Sequence, residues 1–406
     1  MAPTPPPPAM SIPADCSRLH EEGRASIPDR SASSPEGDGR MAIERLTDDL
    51  LIEILSRVPA KSLCRSKCVS NHWLSLVDHP DHRKKLPQPL AGFLYSSTSS
   101  GRFLDSPVHS TSLPWSRCPL MITSFAFLPN HRRIDVMDCC NGLLLCRWYG
   151  VSAQDDHFRY VVCSPATEQW VDFPNSGRAR DQVAVTRLGF DLARSSHFHV
   201  FELLEQKENW TTELVGVAVY SSETGGWVCK EKRQSGHIIR RSEQTVFLNG
   251  HLYFQAFDRD FCVATVDTKG ETWMKFALPR HGRGLIDGFI QCSQGRLHYA
   301  NYYNNVIRLA VYVLEDYESK EWKVKHTVEA SELFGGIDVC YVQDDFEWVG
   351  IHPECNVIFF TVGWYETFMC YNMDRRQVEV IRELEDGRPP YLPYAPLYAE
   401  LQSLHM

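Results

Sequence analysis

The sequence predicts an all-β propeller of about six blades, preceded by a small all-α three-helix unit and a disordered N-terminal tail. Three observations carry that reading. Beyond Leu90 no long window shows a helical period, only short apolar or alternating runs bounded by Gly, Asn, Asp, Ser and Pro. Within that region Trp170, Trp227, Trp273 and Trp322 recur at separations of 57, 46 and 49 residues, close to the length of one four-stranded blade. Between Leu46 and Val58, by contrast, apolar residues fall three to four apart, on one helix face.

Composition bounds the function. The 406 residues are 43% hydrophobic and 23% charged, an ordinary globular balance that excludes a wholly disordered or collagen-like chain. A net charge of −9 argues against a general nucleic-acid binder, which carries a basic excess. No apolar run approaches the roughly 18 residues a bilayer span needs, so neither nucleic acid nor membrane is an expected partner. The fourteen cysteines are scattered from Cys16 to Cys370, and the opening residues have neither the basic nor the apolar segment of a secretory signal. This predicts free thiols in a reducing compartment, nucleus or cytoplasm.

Residues 1–40 hold Pro3, Pro5 to Pro8 and a Ser-rich run at Ser31 to Ser34, with almost no aromatic clusters, and read as a disordered tail. Residues 41–86 form the helical unit. Thr47 is a candidate N-cap, Asp48 and Asp49 suit the positive end of the first helix, and Pro59 stops it. A second short helix is expected from Ser62 to Cys68, and Ser70 caps a third that carries Trp73, Leu74 and Val77. So small a unit has more apolar side chains than its own core absorbs, which makes a partner surface their natural destination.

The residues Leu46-Thr47-Asp48-Asp49-Leu50, Glu53-Ile54-Leu55, Val58-Pro59, Lys61-Ser62-Leu63, Val69-Ser70 and Trp73 stand in the order of an F-box, and this segment resembles one. It departs at Thr47, where the family usually has Pro, and at Val58, where it often has Leu. A Thr hydroxyl caps where Pro would preset φ, so the first departure is chemically acceptable. The resemblance implies docking on a Skp-like adaptor through Leu46, Leu50, Ile54, Leu55, Pro59, Leu63, Val69 and Trp73.

Residues 90–406 carry the repeat. One unit runs from Cys140-Asn141-Gly142-Leu143-Leu144-Leu145 to Gln169-Trp170-Val171, a second from Leu248-Asn249-Gly250-His251 to Thr272-Trp273, a third from Ser293-Gln294-Gly295-Arg296 to Glu321-Trp322. A last unit spans about Trp348 to Glu383, with Val378 and Val380 in place of the tryptophan. Five repeats are legible after Cys140 and Leu90 to Asp138 has material for one more, giving six blades, with seven the alternative count. Pro396 to Leu401 is expected to share a blade with an early strand and so close the ring. The Cys-Asn-Gly-Leu-Leu-Leu and Ser-Pro-Ala-Thr-Glu-Gln-Trp segments resemble the F-box-associated, kelch-like propeller of plant F-box proteins.

The sequence has no phosphate-binding Gly-rich loop, no Gly-x-Ser-x-Gly elbow and no His-Glu-x-x-His pair. Cys64 with Cys68 lacks a second pair at zinc spacing, the cluster His72, His79 and His82 reads as exposed polar side chains, and Cys139, Cys140 and Cys146 read as strand hydrophobes. No metal and no cofactor are expected, and the blade-end tryptophans are expected to fill space between sheets. Function then falls to the loops between blades, where Arg178 and Arg180, Arg240 and Arg241, and Arg280 and Arg283 recur in consecutive repeats. These six suit an acidic or phosphorylated segment of a target protein, although solvated loop charge is the plainer alternative. The resemblance implies a non-catalytic substrate receptor of an SCF-type ubiquitin ligase, joined through the adaptor to a cullin. The alternatives are a propeller enzyme with a helical appendage and an F-box adaptor outside any ligase.

Overall fold

The structure is a computed structural model. It describes residues 46–58, 62, 66, 69–79, 82, 90–97, 108–114, 125–151, 157–208, 211–232, 238–239, 245–258, 260–279, 288–303, 308–333, 346–363, 367–384 and 387–404. The expected tail therefore lies outside the described residues, as does most of the expected second helix. The two flanking helices form as read, α1 over Asp48–Ser56 and α2 over Asn71–Asp78. Ser70 caps α2 by accepting the Trp73 N–H at 3.2 Å, and Leu55 packs with Val77 and Trp73.

Six antiparallel sheets follow among the described residues. Blade one contains β1 (Gly92–Ser97) and β2 (Val108–Ser112). Blade two is β3 (His131–Cys140), β4 (Leu143–Gly150), β5 (Arg159–Ser164) and β6 (Gln169–Phe173). Blade three is β7 (Val183–Gly189), β8 (His199–Glu208), β9 (Thr211–Ser221) and β10 (Gly226–Glu231). Blade four has β11 (Ile238–Ile239), β12 (Val246–Leu248), β13 (His251–Asp258), β14 (Asp260–Asp267) and β15 (Trp273–Ala277). Blade five is β16 (Phe289–Ser293), β17 (Arg296–Tyr303), β18 (Arg308–Asp316) and β19 (Glu321–Glu329), ending in the short α3 (Ala330–Leu333). Blade six is β20 (Phe346–Ile351), β21 (Val357–Val362), β22 (Thr367–Asn372) and β23 (Gln377–Glu383). The last strand, β24 (Gly387–Tyr394), returns to pair with β1 and completes blade one.

Both faces of each sheet are covered, which explains the continuous apolar runs. In β4, Leu143 and Leu145 join the core shared with blade three, while Leu144 and Cys146 join the core shared with blade one. The same alternation makes a core between every consecutive pair of blades, the last joining Phe93 of blade one to Phe359 and Phe368 of blade six. The tryptophans seal these joints: the Trp227 indole N–H donates to Pro174 O at 2.9 Å and that of Trp322 to Ala277 O at 3.0 Å, each a carbonyl of the preceding repeat.

Two details differ from the sequence reading. The repeat that begins at an Asn-Gly or Gln-Gly pair is displaced by one strand from the blade, because that pair is the tight turn between first and second strands. Asn141 and Gly142 have φ of 48° and 84°, Asn249 and Gly250 of 52° and 78°, the left-handed pair a two-residue hairpin requires. Gly142 is needed twice over, since a Cβ there would meet Ala395 O and Leu397 Cβ at 2.6 Å. The ring, moreover, is closed by Gly387–Tyr394 and not by Pro396 to Leu401. Pro389, Pro390 and Pro393 hide that strand in the sequence, yet β24 is the end strand of its sheet, where proline costs no ladder bond on the unpaired side. The residues after it pass over Gly142 and bury Leu397, Leu401 and Leu404 against blades two and three.

Candidate functional site

Two regions carry candidate recognition surfaces. On α1, Leu51, Ile52 and Leu55 are buried, whereas Leu50 and Ile54, one turn apart, are 52% and 47% exposed. Val69 and Leu74 are exposed as well. Leaving large apolar side chains in water on so short a helix forfeits burial free energy. Of the expected docking residues, Leu50, Ile54 and Val69 are thus exposed and Leu46 is partly buried. Leu55 is buried in the unit's own core and Trp73, partly buried, packs against it, while Pro59 and Leu63 lie outside the described residues. Leu74, not in the expected set, is exposed because Leu76 and Val77 take the inward side of α2. The Nε2 of His72 meets Asp48 at 3.0 Å and ties the starts of the two helices together.

On the propeller, strand alternation places first-to-second and third-to-fourth turns at one end. Second-to-third hairpins and inter-blade connections gather at the other. Arg178 and Arg180 lie on the connection from β6 to β7, Arg180 opening a 3-10 turn (Arg180–Gln182). Arg240, Arg241, Arg280 and Arg283 lie outside the described residues. What it brings beside Arg178 is a residue that sequence reasoning missed, Arg147 of β4. Both line a cavity of about 360 Å³ between blades two and three, with Phe158, Tyr160, Asn175 and Glu202. The only available signal was a charge inside the apolar run Leu143–Gly150.

Glu202 is buried at the floor of this cavity. Its Oε1 accepts the Tyr160 hydroxyl at 2.9 Å and its Oε2 accepts the Ser176 hydroxyl. Burial pushes the Glu202 carboxyl up, against the pull of those two hydroxyls and of the Arg147 and Arg178 guanidiniums. Burial, then the Glu202 charge, pushes the Tyr160 hydroxyl up, which keeps it a donor. Arg147 lies with its Cζ 4.8 Å from the Phe158 ring centroid, and its buried Nε has no hydrogen-bond partner. The Nη2 of Arg178 donates to Cys229 Sγ at 2.9 Å.

A second cavity, about 160 Å³, lies among the first strands of the blades. There Asp138 accepts the N–H groups of Cys139 at 2.9 Å and Leu188 at 2.7 Å, and Arg187 faces it, so β3 is fastened to β7. Burial pushes the Asp138 carboxyl up. Burial likewise raises the thiols lining this cavity, that of Cys292 to about 11 and those of Cys139 and Cys140 well above their ordinary value. Protonated thiols are poor nucleophiles and poor metal ligands. Among the described residues no group of three or more His, Cys, Asp or Glu side chains could hold a metal ion, and no helix is long and apolar enough to cross a membrane.

Comparison with known proteins falls on the same two regions. The F-box domain model matches residues 43–85, and a model described as "F-box protein At3g26010-like, beta-propeller" matches residues 109–390. The chain is similar to F-box protein At5g07610 of Arabidopsis thaliana, 30% identical over 310 residues that cover 70% of this chain and 71% of that protein. It is also similar to F-box protein At1g30790 of Arabidopsis thaliana, 26% identical over 322 residues, 71% and 76% of the two chains. Among solved structures, an oligogalacturonate lyase in complex with manganese covers 73% of this chain and 85% of its own at 12% identity. Its TM-score of 0.34 is too low to carry an argument.

Proposed function

Because the chain belongs to the plant-type F-box proteins with an At3g26010-like β-propeller, we propose that it is the substrate receptor of an SCF-type ubiquitin ligase. In this reading the F-box docks on a Skp-like adaptor, the adaptor joins it to a cullin, and the loop end of the propeller holds the target. The work is done in a nuclear or cytoplasmic compartment. The chain itself contributes no reactive group. Holding a target beside a charged ubiquitin-conjugating enzyme raises its effective concentration to about the millimolar range, which accelerates transfer by proximity alone.

The single observation that supports this reading most directly is the apolar pair Leu50 and Ile54, left in solvent on a helix of an F-box. Both side chains are about half exposed, so covering them with a complementary surface is worth about 1 kcal/mol each, and it supplies the burial the small unit lacks. The test is capture of the full chain by an immobilised Skp-like adaptor and cullin, alongside a Leu50→Asp, Ile54→Asp variant. Each introduced carboxylate would be desolvated without a partner, so capture should fall by about 100-fold or more. Failure of the unaltered chain to bind, or equal capture of the variant, would sink the reading. Ubiquitin transfer to a captured protein in the reconstituted complex separates a ligase receptor from an adaptor outside a ligase.

A further inference from the structure

We propose that the cavity between blades two and three is an oxyanion pocket that receives one acidic or phosphorylated side chain of a target peptide. The proposal rests on the reading of the propeller as the target-binding part and names the chemistry that its loop end recognises. Position comes first. The cavity opens among the β4–β5 hairpin and the connection from β6 to β7, the end where loops of successive blades meet and where repeat proteins build composite sites.

Charge decides the sign of the ligand. Two guanidiniums, of Arg147 and Arg178, face a single carboxyl, that of Glu202. Ionised or protonated, Glu202 is outnumbered, and both of its oxygens are already engaged by the hydroxyls of Tyr160 and Ser176. The arginines therefore keep donors for another acceptor. The Nε of Arg147 is buried with no hydrogen-bond partner, so no protein acceptor engages the guanidinium at that atom and its charge is left for another acceptor at the cavity. Stacking on Phe158 holds that guanidinium in place before any ligand arrives. Arg178 spends an Nη2–H on the sulfur of Cys229, a weak acceptor that a carboxylate or phosphate outcompetes.

Size sets the ligand class. At about 360 Å³ the cavity stands at the small end of ligand pockets, which run from about 300 to 1,000 Å³, and suits one side chain with its flanking backbone. Aspartate, glutamate and phosphoserine share the chemistry that fits.

The experiment measures binding of degenerate peptide pools to the full chain, each pool with one central residue fixed as Glu, phosphoserine, Gln or Lys. At least one acid-centred pool should bind about tenfold more tightly than the Gln pool, as expected for paired charge-assisted hydrogen bonds. The stronger of the two acid pools identifies the source of the oxyanion. Arg147→Gln and Arg178→Gln should each erase the preference, and since Arg178 is exposed, its substitution leaves the fold in place. Equal binding of acid and Gln pools overturns the proposal, as does preference for Lys, or an acid preference that survives Arg178→Gln. Adaptor capture is measured on the same preparations. A pocket indifferent to charge in a chain that still binds adaptor overturns the pocket and leaves the receptor reading standing. An acid preference in a chain that ignores the adaptor supports the pocket and overturns the receptor reading.

Discussion

The helical unit and the propeller treat their apolar residues differently. Of the five apolar side chains in α1, three are buried and two, Leu50 and Ile54, remain in water. The propeller also exposes a few, but as single residues: Val228, Val324 and Val380 lie on β10, β19 and β23, the outermost strands of three different blades, Val151 follows β4 and Phe257 lies on β13. Scattered single hydrophobes are a normal feature of a surface, whereas a surplus within one turn of a short helix is not. The propeller satisfies itself because every sheet has a neighbour on both faces and β24 supplies the last one. Two short helices have no such ring to close, and their surplus is what remains for a partner.

Removing the closure should have the largest effect. A chain ended after Leu384 loses β24 and the tail, and with them Tyr391, Tyr394, Leu397, Leu401 and Leu404 from three of the inter-blade cores. Blade one would be left with two strands, too few for independent stability, and an open sheet edge. We expect thermal unfolding of the propeller to lose its single cooperative transition and the protein to associate on size exclusion. A truncated chain that melts cooperatively near the temperature of the full chain would break the view that the ring is self-completing.

Single substitutions sharpen the same contrast at smaller scale. Phe359 is fully buried at the joint of blades one and six, with Phe93 and Phe368 at ring distances of 5.0 and 5.9 Å. Phe359→Ala should cost about 3–5 kcal/mol in urea unfolding. Val228→Ala on an outer strand should stay within about 0.5 kcal/mol of the unaltered chain, and Ile54→Asp, which puts a carboxylate in the last turn of α1, should cost about 1 kcal/mol. If Ile54→Asp destabilised the isolated chain as much as Phe359→Ala, Ile54 would be a core residue and its exposure could not be an offer to a partner.

Periodicity made the contrast only half legible in advance. The helix face from Leu46 to Val58 and the blade count could be read because both are repeats in the chain. Leu50 and Leu51 belong to the same apolar stripe, however, and which of them is left outside depends on how α2 packs, so Leu55 read as a contact for a partner although it is buried, and Trp73 is partly buried beside it. A closed ring has no natural starting point, so the Asn-Gly turns announced the repeat but placed its start one strand late. β24 was hidden by Pro389, Pro390 and Pro393. Arg147 is the clearest miss: inside an apolar strand its charge has no visible purpose until β8 of the next blade brings Glu202 beside it. Of the six recurring loop arginines, Arg178 is the one whose described side chain lines the cavity.

A last expected effect concerns pH, and it arises in the propeller. Burial, aided by the Lys325 ammonium 3.0 Å from its Nε2, holds the His298 imidazole down at about 4. Burial holds His352 at about 4 as well, and its Nδ1 accepts the N–H of Glu354 at 3.1 Å, a bond that protonation would destroy. In the unfolded chain both return to about 6.5. Above that value neither state binds the proton and the full stability is present. As pH falls from about 6.5 to about 4 the unfolded chain takes up protons that the folded chain refuses, so stability declines through that window. Asp138 and Glu202, raised by burial, work in the opposite direction as their folded forms gain protons first, which limits the net slope. The melting temperature of the propeller should therefore drop by several degrees between pH 7 and pH 4.5, and the drop should shrink in a His298→Gln, His352→Asn variant, since Asn still offers an acceptor to the Glu354 N–H. An identical pH slope in that variant would assign the acid sensitivity to carboxylates instead, beginning with Asp267, whose backbone hydrogen bonds from Thr272 and Glu271 outweigh its burial and hold it below its usual value.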